Sequence, residues 1–234
     1  MTMIAQQLRT VRSRIAAACL AAGRDEREVS LLAVSKTYGP EAVAEAFAAG
    51  QHAFGENYIQ EAVEKMALLR HLPLQWHCIG PVQSNKTRLV AEHFDWLHTL
   101  DRLKIAQRLS EQRPADLSPL QVCIQVNTDG GLTKSGVAPH EALALAQAVA
   151  LLPRLQLRGL MSIPEPAPDF AAQLKLHAQT RTLFDQLRAA AWPPGVQFDT
   201  LSMGMTADLE AAIHAGSTMV RVGTAIFGVR VKPS

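Results

Sequence analysis

Leu31-Leu32-Ala33-Val34-Ser35-Lys36-Thr37 opens with four apolar residues and passes into three polar ones, and Gly39-Pro40 then stops the run. A short apolar run bounded by turn residues predicts a buried strand. Lys36 falls where that strand ends and a loop begins. An ammonium there is poorly hydrated unless it is paired or neutral. Desolvation lowers a lysine pKa, and the neutral amine is a nucleophile towards aldehydes. The alternative is a lysine that snorkels to solvent past the strand end.

The pattern continues outward from this strand. Upstream, residues 3–22 have a helical period with Ile4, Leu8, Val11, Ile15 and Cys19 on one stripe, and Gly23 ends the helix. Downstream, helices are expected over 40–49, 58–71, 83–91, 102–112, 139–151, 170–191 and 206–215. Strands are expected over 52–55, 74–79, 94–99, 120–127, 155–161, 198–201 and 218–222, all but 94–99 closed by Gly, Pro, Asn or Ser. About eight strands alternating with helices imply a parallel sheet. In 234 residues the economical closure is an α/β (β/α)8 TIM barrel with an extra N-terminal helix. A doubly wound open sheet is the alternative. The chain reads as one domain over 1–234, with the N-terminal helix within 1–23 and a tail at 229–234.

Composition narrows the function classes. Hydrophobic residues are 48% and charged residues 19%, enough for a large core without disordered tracts. A net charge of +2 gives no argument for nucleic acid or an acidic membrane surface. Arg9, Arg12 and Arg14 interrupt the first helix, so it is not a signal peptide, and no stretch reaches the ~18 apolar residues of a membrane span. Cys19, Cys78 and Cys123 are odd in number and far apart, which suits a reducing cytoplasm. The eight histidines show no His-x-Glu-x-x-His and the cysteines no Cys-x-x-Cys, so a metal is not expected.

In a barrel the loops after the strands gather at one mouth. The polar residues placed just past the strand ends are Lys36, Asn57, His77 with Gln83-Ser84-Asn85-Lys86, His98 with Asp101, Asn127, Ser162, Ser202, and Arg221 with Thr224. Ser202-Met203-Gly204-Met205-Thr206 and Arg221-Val222-Gly223-Thr224 follow the last two strands, where this fold commonly binds phosphate. The alternative is that their glycines only serve tight turns. A phosphate on one side and a strand-end lysine on the other suggest a phosphorylated aldehyde, and pyridoxal 5'-phosphate (PLP) fits. Lys36 would take the aldehyde as a Schiff base. Arg221 would face the pyridine nitrogen and, unable to accept a proton, leave it unprotonated; otherwise it is a structural ion pair. His77 faces the ring or satisfies a core hydrogen bond.

Several motifs together carry a resemblance: Leu32-Ala33-Val34-Ser35-Lys36-Thr37, Phe54-Gly55-Glu56-Asn57-Tyr58, Trp76-His77-x-Ile79-Gly80-x-x-Gln83-Ser84-Asn85-Lys86, Ser202-Met203-Gly204-Met205 and Arg221-Val222-Gly223-Thr224-Ala225-Ile226-Phe227-Gly228. Over nearly the whole length the chain resembles the pyridoxal phosphate homeostasis protein family. The resemblance implies a barrel similar to that of alanine racemase, PLP bound to Lys36, and a monomer. It implies cofactor contacts at Ser202, Met203, Gly204, Arg221, Gly223 and Thr224, with Asn57 and His77 lining the same pocket. One departure stands in the loop after strand five. Lys134-Ser135-Gly136 is kept, but Gly130-Gly131-Leu132 replaces a more polar stretch, and each glycine adds backbone freedom.

Three functions compete. The first is a cytoplasmic PLP carrier or regulator whose partners are PLP and PLP-requiring apo-enzymes. The second is an amino-acid racemase-like PLP enzyme, which needs an acid/base on each face of the substrate. The only tyrosines are Tyr38 and Tyr58, and Tyr38 lies too near Lys36 in sequence to sit across the ring from it. The third is an aldolase-like barrel in which Lys36 binds its substrate directly; the Phe54-Gly55-Glu56-Asn57-Tyr58 and Ser202-Met203-Gly204-Met205 matches weigh against it.

Overall fold

The computed structural model describes residues 2–131 and 135–228. The expected tail at 229–234, and Leu132 and Lys134 of the loop after the fifth strand, lie outside the described residues. Eight parallel strands close in sequential order: β1 (Ser30–Val34), β2 (Ala53–Glu56), β3 (Gln75–Cys78), β4 (Trp96–Leu100), β5 (Leu120–Gln125), β6 (Leu155–Met161), β7 (Thr200–Ser202) and β8 (Met219–Val222). The first strand pairs on both edges, Ala33 with Phe54 of β2 and Leu32 with Arg221 of β8. That pairing makes the sheet a barrel and removes the open-sheet alternative.

Helix α1 (Met3–Ala21) precedes the barrel, capped by the Thr2 hydroxyl accepting from the Ala5 N–H, and buries the expected stripe from Ile4 to Cys19. Arg14 ties it to the far end of the chain through Glu210 and the Thr206 carbonyl. The crossovers are α2 (Pro40–Ala48), α3 (Ile59–Leu69), α4 (Thr87–His93), α5 (Leu103–Gln112), α6 (Pro139–Ala150), α7 (Phe170–Arg188) and α8 (Leu209–His214), and α9 (Thr224–Phe227) follows β8. Pro40 and Pro139 open their helices at the position where no backbone donor is needed. Two helix starts differ from the expectation by more than one residue. Residues 84–86 form a 3-10 turn ahead of α4. Helix α8 begins at Leu209, not Thr206, because the Asp208 carboxylate accepts from the Met205 N–H and closes residues 205–208 into a turn. Among the described residues no helix is long and apolar enough to cross a membrane.

Alternation along the strands decides what fills the barrel. Trp76 and Cys78, Leu97 and Leu100, Val122 and Ile124, Leu201, and Val220 and Val222 belong to the large apolar core that also takes in helix side chains. The intervening positions are His77, His98, Cys123, Met161, Ser202 and Arg221. Of these only Cys123 and Met161, with Trp96, make an apolar cluster, separate from the main core. The barrel interior is therefore largely polar, and each polar group inside it needs a partner.

Candidate cofactor site at the barrel mouth

Lys36 sits two residues beyond Val34, the last residue of β1. The Tyr38 N–H donates to the Ser35 carbonyl at 3.1 Å, so Ser35–Tyr38 is a tight turn with Lys36 inside it and half-buried. The next residue, Thr37, has φ +68°. A β-branched residue in the left-handed region is a genuine outlier, carrying about 1–3 kcal/mol of strain. That strain must be held by the surroundings, and the holding group lies directly beneath. Ser35 is fully buried, and its hydroxyl donates to Glu56 Oε1 at 2.6 Å. Lys65 of α3 reaches the same oxygen at 2.6 Å and the Ser35 carbonyl at 2.9 Å. Glu56 and Lys65 show 1% and 8% side-chain exposure, so the pair is dehydrated and leaving one partner alone is costly. The sequence marks Glu56, a charged residue in an apolar strand, as able to pair with a neighbouring cation but gives it no role, and Lys65 does not stand out.

The other strand ends contribute as follows. Asn57 follows β2, and Gly80 packs onto its backbone so closely that a Cβ there would lie 2.1 Å from the Asn57 carbonyl. Among the described residues the buried Asn57 Oδ1 has no hydrogen-bond partner. Ser202 ends β7, fully buried, and Gly204 turns the chain at φ +93°, where a side chain would also strike Ala212. Met203 is fully buried in the main core; its N–H donates to the Met219 carbonyl and its carbonyl accepts from Ser217. Gly223 lies over the Val34 carbonyl and caps α9, while Thr224 is exposed in its first turn. The Arg221 N–H donates to the Gly204 carbonyl, which joins the two glycine loops.

Arg221 is 4% exposed and sits level with Leu32, deeper in the barrel than Lys36. Its guanidinium donates to Ser202 Oγ at 2.8 Å and to the Ser162 carbonyl at 2.9 Å. Burial lowers its pKa to about 10, against the nearby Asp208 charge, so it stays cationic at neutral pH. Among the described residues it forms no ion pair, so a buried cation has two neutral acceptors for five N–H groups. Asp208 sits beside the same loop. Burial pushes its carboxyl up, but the hydrogen bonds from His177 and the Met205 N–H and the Arg221 charge outweigh that and hold it low.

The two histidines expected beyond the strand ends lie within β3 and β4 instead. His77 is fully buried and stacked on Trp96 with centroids 5.2 Å apart; its ring nitrogens meet His98 and Gln75. Both ring nitrogens of His77 are thus engaged inside the barrel. In the loop after β5, the Asn127 side chain accepts from the Gly130 N–H and donates to the Gly131 carbonyl. The Tyr38 hydroxyl donates to the Gly228 carbonyl with its ring against Phe227. Among the described residues no group of three or more His, Cys, Asp or Glu could hold a metal ion.

A parallel barrel with a lysine at the end of β1 and paired glycine loops after β7 and β8 defines a class, and comparison with known proteins agrees. Residues 7–231 match the family model of the alanine racemase N-terminal domain. A pyridoxal phosphate homeostasis protein of Pseudomonas aeruginosa is 58% identical over 230 residues, 98% of this chain and 97% of that one. The protein of the same description from Escherichia coli K12 is 54% identical over 233 residues, 98% of each chain. Among solved structures, PipY of Synechococcus elongatus with PLP bound superposes with a TM-score of 0.83 at 38% identity, covering 96% of this chain and all of that one. The chain belongs to the pyridoxal phosphate homeostasis protein family.

Proposed function

We propose that this chain binds PLP at the mouth of the barrel and serves PLP homeostasis, carrying the cofactor on Lys36 with little or no catalysis of its own. The observation that carries the reading is Arg221, a buried guanidinium with unused N–H groups and no carboxylate, on the strand next to the one that leads into Lys36. Such a cation calls for an acceptor from outside the chain, and a pyridine nitrogen is one. The orphaned Asn57 Oδ1 and the two joined glycine loops suit the same ligand. Bound PLP supplies an aldehyde that takes amines reversibly and a ring that withdraws electrons.

Each residue then has a task. Lys36 holds the aldehyde carbon, and the turn strained at Thr37 holds Lys36. Arg221 donates to the ring nitrogen and cannot protonate it, which keeps the ring a weak electron sink. Ser202, Gly204, Gly223 and Thr224 flank the phosphate. Met203 supports their loop from the core, Asn57 lines the pocket, and His77 acts from within the barrel. The Tyr38 hydroxyl is engaged with Gly228, which leaves it poorly suited to act as a second base. The barrel works as one domain and a monomer in the cytoplasm, and PLP-requiring apo-enzymes are the recipients.

The test is α-proton exchange. PLP-loaded protein is incubated with L- and D-amino acids in deuterated water, with Lys36→Ala as the blank. A visible PLP chromophore without exchange above the blank is expected. Exchange with turnover would move the chain to the racemase-like enzymes.

A further inference from the structure

A hydrogen-bonded chain runs through the barrel from Arg221 away from the mouth. Arg221 Nη1 donates to Ser202 Oγ at 2.8 Å, and Ser202 Oγ lies 2.9 Å from His98 Nδ1. His98 Nε2 lies 2.9 Å from His77 Nδ1, and His77 Nε2 lies 3.0 Å from Gln75 Oε1. Ser202, His98 and His77 are fully buried. Gln75, at the start of β3, lines a cavity of about 880 Å³ at the end of the barrel opposite Lys36.

The proton positions follow from the ends of the chain. Gln75 Oε1 only accepts, so His77 Nε2 carries a hydrogen. Among the described residues no carboxylate bonds to either ring. Burial pushes the His77 pKa down to about 3, and burial together with the Arg221 charge pushes His98 well below its usual range. Both rings are therefore neutral, with one N–H each. His77 Nδ1 then accepts from His98 Nε2, and His98 Nδ1 accepts the Ser202 hydroxyl proton. That leaves a Ser202 lone pair for Arg221. All the bonds point one way, from the guanidinium to Gln75. Rotating the Gln75 amide would reverse them all and turn the Ser202 proton away from His98.

We infer that His98 and His77 are positioning residues for Arg221: as neutral Nε2–H tautomers they draw the Ser202 proton inward, so that Ser202 Oγ aims the guanidinium as an acceptor. Removing the His98 acceptor frees the hydroxyl to rotate, and its proton then competes with Arg221 for the same space. The effect on ligand rests on the PLP reading, but the tautomers belong to the protein alone.

The test has two parts. Nitrogen-15 NMR of the ligand-free chain, assigned with His77→Asn and His98→Asn, reads the tautomers. Two neutral Nε2–H rings at neutral pH are expected; an Nδ1–H ring or a charged ring at either site overturns the inference. PLP retention is then compared among folded variants. His98→Leu is expected to retain PLP about tenfold less tightly than wild type. His98→Asn, which keeps an acceptor near the Nδ1 position, is expected to recover most of that loss. Equal retention by His98→Leu and wild type overturns the positioning role even if the tautomers are right. If wild type takes up no PLP while both rings are Nε2–H, the ligand reading has failed and the tautomer assignment stands.

Discussion

Two residues bear most of the functional weight. Arg221 is held by two neutral acceptors and has N–H groups to spare, which the proposed reading gives to a ligand. Arg221→Ala is accordingly expected to weaken PLP retention about tenfold or more while the thermal midpoint stays close to wild type. Retention equal to wild type with the fold intact would remove Arg221 from the site. Thr37 carries the strain next to Lys36. Thr37→Gly removes the Cβ that the left-handed conformation crowds, so urea denaturation is expected to show unchanged stability or a gain of about 1 kcal/mol. A loss larger than that would mean the Thr37 side chain is stabilising the turn. Lys36 stood out in the sequence because a polar residue after an apolar run marks a strand end. The Thr37 strain did not, because no composition rule places a threonine at positive φ.

At the scale of elements, β1, β2 and α3 are locked together under the site by Ser35, Glu56 and Lys65. Lys65→Met leaves the Glu56 carboxylate buried without its cation and is expected to cost about 3–5 kcal/mol in urea denaturation. Adding Glu56→Leu is expected to recover most of it; no recovery would show that the cost came from packing. The interior histidines predict a pH dependence. His77 titrates near 3 in the fold and near 6.5 when unfolded, so between those values the unfolded chain binds more protons. Stability is full above about pH 6.5 and falls with acid through that window, by about 1.4 kcal/mol per pH unit for each such ring. His77→Asn should flatten the slope by about that amount; an unchanged slope would mean the ring is protonated in the native barrel. The alternation was legible in Trp76-His77-Cys78 and Val220-Arg221-Val222, where polar residues stand between apolar ones. Reading it as inside against outside would have put His77 and His98 within the barrel, not past its rim.

At the scale of the whole molecule, the βα rhythm made the barrel legible, because each strand is short, apolar and closed by turn residues. Strand ends shifted by up to about two residues, since the hydrogen-bond ladder is set by neighbours distant in sequence. The start of α8 was displaced for a local reason, the Asp208 turn, which resembles a helix start in composition. Lys36, Asn57, Gly204, Gly223 and Thr224 were legible as residues that follow strand ends. The chain behind Arg221 was not, because it draws one or two residues from each of three strands and only closure of the barrel brings them together. The central claim is that this barrel holds PLP on Lys36. The most direct measurement is reduction of the PLP-loaded protein with borohydride, followed by peptide mapping. The label is expected on the peptide that carries Lys36, with loss of the visible band and no label in Lys36→Ala. Label on another lysine, or PLP that washes away unreduced, would contradict the account.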